Sequence, residues 1–332
     1  MGWREVKRAV LHINSVVLIV AIIGLGVAFS LLSRHFLTLT NLRVILETMS
    51  ILTILSLGVH SLLVAGEIDI SFAAVLGLSA VVAALVSSGN TNTFLLILSG
   101  LAAAVAVGLA NGFFVVNMGI PSFLVTLASM AGVNGLVLLL SNYRSVLLSD
   151  DLFPEIFYGR PFWQVPTAVF WMVGLIIVTG IVLRYTRFGR WVYATGGNNR
   201  VALLMGIPTK RVRYALFVAS SFLAGIAGFI VASRSLSARP LIGDAYLMPA
   251  IAAPILGGAL LTGGRGSVIR TTLGALVLTI ITNGANLLGL EPAYQNIFMA
   301  IILIGSLSTQ GGRDLIRRLL AHAVARRTKG AP

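Results

Sequence analysis

The chain has 332 residues, 57% of them hydrophobic and 10% charged, with a mean hydropathy of +0.97 and a net charge of +14. A soluble domain carries about 25% charged residues, so a water-soluble fold is excluded: it would have no way to hide this much apolar surface. The absence of cysteine removes disulfides, thiolate catalysis and Cys-based metal sites, and the placement of the basic residues, in clusters between long apolar runs, fits a membrane protein better than a nucleic-acid groove.

Taken in chain order, the apolar runs predict an all-α integral membrane protein with about ten transmembrane helices. They lie roughly at 12–32, 43–65, 71–88, 93–116, 121–141, 166–186, 213–235, 247–262, 267–289 and 292–309. The first, behind Arg4, Lys7 and Arg8, is too long for a signal-peptide core and reads as an uncleaved helix. Several others contain Gly, Asn or Pro, which membrane helices tolerate when packed inside protein or lining a cavity. The whole chain, 1–332, reads as one transmembrane domain. Its longest non-helical stretches are 142–165 and 187–212, and residues 310–332 form a basic tail suited to an anionic leaflet.

Counting crossings from an inside N-terminus leaves six of the 24 Lys and Arg residues outside: Arg34, Arg43, Arg144, Arg160, Arg234 and Arg239. The other 18 fall inside, so the charge bias selects cytoplasmic N- and C-termini. A short recurrence accompanies this topology. "ANGFFVVNMGIP" (Ala110–Pro121) ends the fourth helix and "TNGANLLGLEP" (Thr282–Pro292) ends the ninth. Two readings fit it: an inverted repeat of helices 2–5 and 7–10, a common transporter plan, or chance recurrence of a few residues.

No enzymatic constellation is present. HExxH and GxSxG are absent, the four histidines have no metal-ligand spacing, and no cofactor or metal is implied. "LTGGRGS" (Leu261–Ser267) lacks the Gly-Lys-Ser/Thr of a P-loop and reads as a tight turn between close-packed helices. Active transport would therefore draw on an ion gradient or a separate ATPase. In "FGRWVYATGGNNRVALLMGIPTKRVR" (Phe188–Arg213), Gly196 and Gly197 break the chain. Asn198 caps a short amphipathic helix, and Gly206 closes it before Ile207 and Pro208. A short helix across the membrane face suits docking into a partner's groove; the plain alternative is a connecting loop.

Four stretches carry a resemblance. They are "GEIDISFAAVLGLSA" (Gly66–Ala80), "NGFFVVNMGIPSFLVTLASM" (Asn111–Met130), "GRWVYATGGN" with "ALLMGIP" (Gly189–Pro208), and "YLMPAIAAPILGGALLTGGRGSV" (Tyr246–Val268). In this order they resemble the motifs of the ribose-type permeases of ATP-binding-cassette importers, over nearly the whole chain. "LMPAI" is similar to wording in the branch that includes an autoinducer-2 permease. The resemblance implies a permease for a monosaccharide or related polyol that pairs with a second permease copy. Its other partners would be cytoplasmic ATP-binding subunits and a periplasmic or lipoprotein sugar-binding protein, with membrane lipid around it and no nucleic acid. It implies that Gly197, Asn198, Arg200, Ala202, Leu203, Leu204, Gly206 and Ile207 form the ATPase-coupling segment. The chain departs from the family where Glu67 stands for a usual Gly, Pro254 for an aliphatic residue, Arg270 for a small one, and in the wording "NNRVALLMG".

A sugar pathway needs polar side chains without charge, and Asn111, Thr126, Asn134 and Asn283 are the candidates. Helix–helix hydrogen bonding explains each of them equally well. Glu67 and Asp69 fall between the second and third helices. Gly66, Asp69 and Ser71 read as a structural motif, with Asp69 capping the third helix; the role of Glu67 stays open. A rival reading takes the two carboxylates as the coupling site of an ion- or proton-driven secondary transporter.

Overall fold

Long apolar runs punctuated by Pro, Asn and Gly fold into helices whose ends fall close to those signals. The structure, a computed structural model, describes residues 3–89, 92–161, 164–291 and 293–308 apart from 303, 306 and 307. The basic tail 310–332 lies outside the described residues. The helices are α1 (Trp3–Leu32), α2 (Leu39–Val64), α3 (Phe72–Ser87), α4 (Thr93–Val116), α5 (Ser122–Leu140), α6 (Leu152–Tyr158), α7 (Thr167–Tyr185), α8 (Arg187–Gly197), α9 (Asn199–Leu204), α10 (Thr209–Ser235), α11 (Asp244–Leu256) and α12 (Val268–Leu287). A closing apolar helix covers Ala293–Ile302. Pro121, Pro166 and Pro208 stand immediately before α5, α7 and α10, where a missing N–H costs nothing.

Among the described residues, seven helices are long and apolar enough to cross a membrane: α1 over Ser15–Leu32, then α2, α4, α5, α7, α10 and α12. α3, α11 and the closing helix are apolar but shorter. Seven of the ten predicted segments therefore fall on membrane-length helices, and the other three fall on apolar helices shorter than a membrane span. α11 stops at Leu256 rather than near 262, because Gly257 lies against the backbone of Arg270 and Thr271 and the chain then turns at Gly258.

α2, α3 and α10 form the centre, and α3 is apolar on every side because nearly all of it is buried. Lipid offers no hydrophobic drive between helices, so close packing of small residues has to hold them. α4 presents Gly100, Ala104, Gly108 and Gly112 at four-residue spacing. A Cβ at Gly100 would meet the Phe229 ring, one at Gly108 the Phe217 carbonyl, and one at Gly112 the Tyr214 ring, all on α10. α10 answers with Gly225 against Ala104 and Gly228 against the carbonyl of Leu76.

The connections gather on two opposite faces. One carries residues 65–71, 117–121, 186–208 and 257–267, joined by contacts such as Gly264 N–H to Val64 O at 2.8 Å and Tyr214 Oη to Asn117 Oδ1 at 2.8 Å. The other carries 141–166 and 236–243. There β1 (Val146–Leu147) pairs antiparallel with β2 (Ser237–Ala238), and Ser149 N–H reaches Ser87 Oγ at 3.1 Å. These are called the α9 face and the α6 face below.

Both long connecting stretches contain helices; the short one after Asn198 was expected, whereas α6 and α8 were not. Within 142–165, α6 buries Phe153 and Phe157 against Phe229 and Trp171, with Phe157 stacked on Trp171 at 5.5 Å. Within 187–212, α8 runs straight through Gly196 and Gly197. Gly196 is therefore no helix breaker: a Cβ there would lie 1.8 Å from the Val64 carbonyl, so the residue permits close backbone approach. The break falls at Asn198, which is extended at φ −163° and ψ 103°.

Candidate functional site

α2 ends in a Schellman motif. Gly66 takes φ +81°, its N–H reaches Leu63 O at 2.9 Å, and the Glu67 N–H reaches Leu62 O at 2.9 Å. The chain then runs to α3 through Glu67, Ile68, Asp69, Ile70 and Ser71, and almost every polar group on the way is held. Arg213 Nε lies 2.5 Å from Glu67 Oε1, an ion pair without hydrogen-bond alignment. The Ile68 N–H donates to Ser122 Oγ at 3.1 Å, and Thr126 Oγ1 donates to Ile68 O at 3.4 Å.

Asp69 is fully buried. Its Oδ1 accepts from the Ser71 N–H at 2.8 Å and from Ser71 Oγ at 2.6 Å, while Oδ2 accepts from Ser220 Oγ of α10 at 3.0 Å. Asn111 Nδ2 of α4 donates to Ser71 Oγ at 2.8 Å. The N-cap position of α3 belongs to Ser71, which makes no side-chain cap bond. Asp69 thus stands two residues ahead of the helix in an Asx-type turn and also ties α3 to α10. It therefore holds an N–H at the start of α3, as a capping residue does, but from outside the N-cap position.

The other two motif segments close on the same place. The turn at 257–267 brings the Gly264 N–H onto Val64 O, and Gly263 and Gly264 both take positive φ. Tyr193 Oη of α8 donates to Gly266 O at 3.2 Å. The four stretches singled out in the sequence therefore meet at one junction on the α9 face.

α9 stands beside that junction. Asn198 Oδ1 accepts from the Val201 N–H at 3.1 Å. At the other end Gly206 takes φ +77°, its N–H bonds Leu203 O at 3.0 Å, and the Ile207 N–H bonds Ala202 O at 3.1 Å, a second Schellman closure. Six residues cannot sustain a helix alone, so both caps matter. Ala202 faces the protein, Gly197 and Arg200 are exposed, and Leu203 and Leu204 project at 59% and 80% exposure. These exposed leucines share this face with the exposed basic residues Arg187, Arg190, Arg200, Lys210 and Arg211.

The pathway candidates divide. Asn111 and Thr126 are buried in the junction just described. Asn283 on α12 exchanges two hydrogen bonds with Asn41 on α2, at 3.0 and 2.8 Å. These three join helices within one chain. Asn134 is half-buried on α5, a helix that leaves most of its apolar surface uncovered.

Sequence reasoning missed the partners Ser220 and Arg213, and a second polar centre on the α6 face. There the buried Glu47 accepts from Tyr158 Oη at 2.5 Å, with Arg160 at 3.6 Å and Arg234 at 4.0 Å. Burial, then the hydrogen bond to Glu47, raises the Tyr158 hydroxyl above its ordinary pKa. Glu47 was visible as a lone acid inside an apolar run, which in a membrane predicts a partner without naming it. Among the described residues no group of three or more His, Cys, Asp or Glu is placed to hold a metal ion.

A bundle of membrane-length helices, with an exposed capped helix on one face and a bonded polar junction beneath it, defines a multi-pass membrane protein. Residues 41–307 match the family described as branched-chain amino acid transport system / permease component, and the chain belongs to that family. It is 34% identical over 291 residues to a ribose import permease protein of Escherichia coli K12, covering 86% of this chain and 90% of that protein. It is 33% identical over 282 residues to the ribose import permease protein of Bacillus subtilis, covering 84% and 87%. It is 31% identical over 282 residues to the L-arabinose transport system permease protein of Escherichia coli K12, covering 85% and 86%. No solved structure matches the chain.

Proposed function

We propose that the chain is the membrane-spanning permease subunit of an ATP-binding-cassette importer for a monosaccharide or related polyol. The observation that carries this is α9: a short helix capped at both ends and presenting Leu203 and Leu204 to solvent, in a chain whose relatives are named ribose and arabinose permeases. In this reading the α9 face is cytoplasmic in the bacterial inner membrane, and Gly197–Ile207 docks in a groove of a separate ATP-binding subunit. The charge bias supports that orientation: Arg187, Arg190, Arg200, Lys210, Arg211, Arg213 and Arg265 all belong to the α9 face.

The three shorter apolar helices complete ten crossings. An inverted repeat is supported by the order of lengths: α2 and α3 have 26 and 16 residues, and α10 and α11 have 27 and 13. A second permease copy sits against α5, with Asn134 facing the shared pathway. A sugar-binding protein docks on the α6 face. Arg144 and Arg239 there have no carboxylate partner among the described residues, whereas Arg160 is engaged by Glu47. A secondary transporter would need free carboxylates in the membrane; Glu67 is paired with Arg213 and Asp69 is tied to serines, which favours the importer.

Reconstitution with the ATPase and binding protein tests the reading. Labelled ribose or arabinose should enter only with ATP and binding protein, and collapse of the proton gradient should leave the rate unchanged. Uptake by the purified chain alone, driven by a proton gradient, would establish the secondary transporter instead.

A further inference from the structure

Where α7 hands over to α8, beside the start of α12, a cavity of about 710 Å³ opens on the α9 face. Its wall is apolar, built by Ile176, Ile177 and Ile181 of α7 with Val268 and Ile269 of α12. Its mouth is cationic. Thr186 is extended between the two helices, so Arg184 in the last turn of α7 and Arg190 in the first turn of α8 both reach the opening, with Tyr193 near them. The wall is open at Gly180, where a Cβ would meet nothing within 4 Å.

Neither guanidinium has a carboxylate partner among the described residues, and no acidic residue lines the cavity. Arg190 Nη1 donates only to Thr186 O at 3.3 Å, and Arg184 lies over the Tyr185 ring at 5.5 Å. The apolar wall continues out of the cavity along the uncovered face of α7, through Val173, Ile177 and Val178. Ile177 to Arg184 is seven residues, about 10 Å along a helix.

We propose that this cavity binds one anionic phospholipid of the surrounding membrane. Arg184 and Arg190 hold the headgroup phosphate between them, as guanidinium forks do, and one acyl chain lies on Ile181, Ile177 and the α7 face beyond. Charge complementarity selects an anionic headgroup, and the continuous apolar wall selects a lipid over a free phosphate ion. The site needs the α9 face to lie at a membrane surface, whichever side that is, and does not depend on the transported cargo.

Native mass spectrometry of the purified full chain, taken from micelles with equal phosphatidylglycerol and phosphatidylcholine of the same acyl chains, tests it. One phosphatidylglycerol should be retained per chain with a preference of roughly tenfold or more. Arg184→Gln with Arg190→Gln should abolish the preference, and Ile181→Trp, filling the wall with both arginines intact, should abolish retention. Arg200→Gln, on the exposed face of α9, should change neither. Melting in detergent identifies any variant that fails to fold, and the Arg184→Lys/Arg190→Lys pair, which keeps the charge but loses the forks, should give a preference between those of the parent and the double Gln variant. No preference in the parent chain, or one unchanged by the double Gln variant, overturns the proposal. So does inorganic phosphate binding that competes with the lipid while Ile181→Trp is without effect. Transport reads none of these outcomes, so their failure is distinct from failure of the importer reading.

Discussion

Arg213 Nε lies 2.5 Å from Glu67 Oε1, and Ser220, seven residues further along α10, holds Asp69 at 3.0 Å. Seven residues are two helical turns, so both grips come from one side of α10. They fall on the same short piece of chain, the link between α2 and α3. α10 itself begins three residues after Gly206, the residue that closes α9. A displacement of α9 thus reaches the amino end of α3 through one rigid helix and two side-chain contacts. This physical connection joins α9 to the bundle interior.

Removing the charge of Glu67 should loosen that link. Glu67→Gln leaves Arg213 mostly buried without its counter-ion, and the expected loss of stability is about 2 kcal/mol, read as detergent melting. The exchanged pair Glu67→Arg with Arg213→Glu should recover much of it. Single and double variants that simply add would show that the two side chains do not interact.

Gly196 and Gly197 are neighbours with opposite surroundings. A Cβ at Gly196 would stand 1.8 Å from Val64 O, while one at Gly197 meets nothing within 4 Å. Gly196→Ala should force α8 away from α2 and sharply reduce folded yield, at a cost of at least about 2 kcal/mol. Gly197→Ala should fold normally. Membrane yield and melting of the two proteins decide it, and equal behaviour would refute the close-approach account.

That pair also shows what could be read from the sequence. The membrane helices were legible because each is a long apolar run, several of them bounded by Pro, Gly or Asn. Asn198 and Gly206 were legible because capping chemistry is local. Gly196 was misread because its constraint comes from Val64, 132 residues away, and a glycine signals a breaker and a contact point in the same letter. α6 was missed because seven residues with an internal Pro carry too little periodicity, although burial of Phe153 and Phe157 holds them helical. Asp69 was recognised, but Ser220, 151 residues on, is an ordinary serine in an apolar helix until the fold brings the two together.

The proposed role of α9 in coupling makes a sharper demand. Leu203→Pro should unfold α9, since it removes a helical N–H and clashes with the preceding turn, at about 3 kcal/mol locally. Leu204→Asp keeps the helix but charges its most exposed apolar side chain. Both should lower uptake and transport-stimulated ATP hydrolysis in the assembled importer while leaving the permease in the membrane at normal yield. Full uptake from either variant would remove α9 from the coupling surface.

Asp69 separates a structural carboxylate from a proton carrier. Both oxygens are occupied, Oδ1 by the Ser71 N–H and hydroxyl and Oδ2 by the Ser220 hydroxyl. In Asp69→Asn the side-chain oxygen still accepts from Ser71. The new NH₂ faces Ser220, whose hydroxyl rotates to accept instead of donate. Most of the network survives, and uptake should remain close to that of the parent chain. Asp69→Ala strands a backbone N–H and two hydroxyls in a dry interior and should cost about 1–3 kcal/mol, with reduced folded yield. A proton-relay carboxylate predicts the reverse for Asn, which is folded and dead because an amide cannot carry the proton. Uptake and detergent melting measured together on both variants discriminate, and a stable, inactive Asp69→Asn protein would transfer the energy source from ATP to an ion gradient.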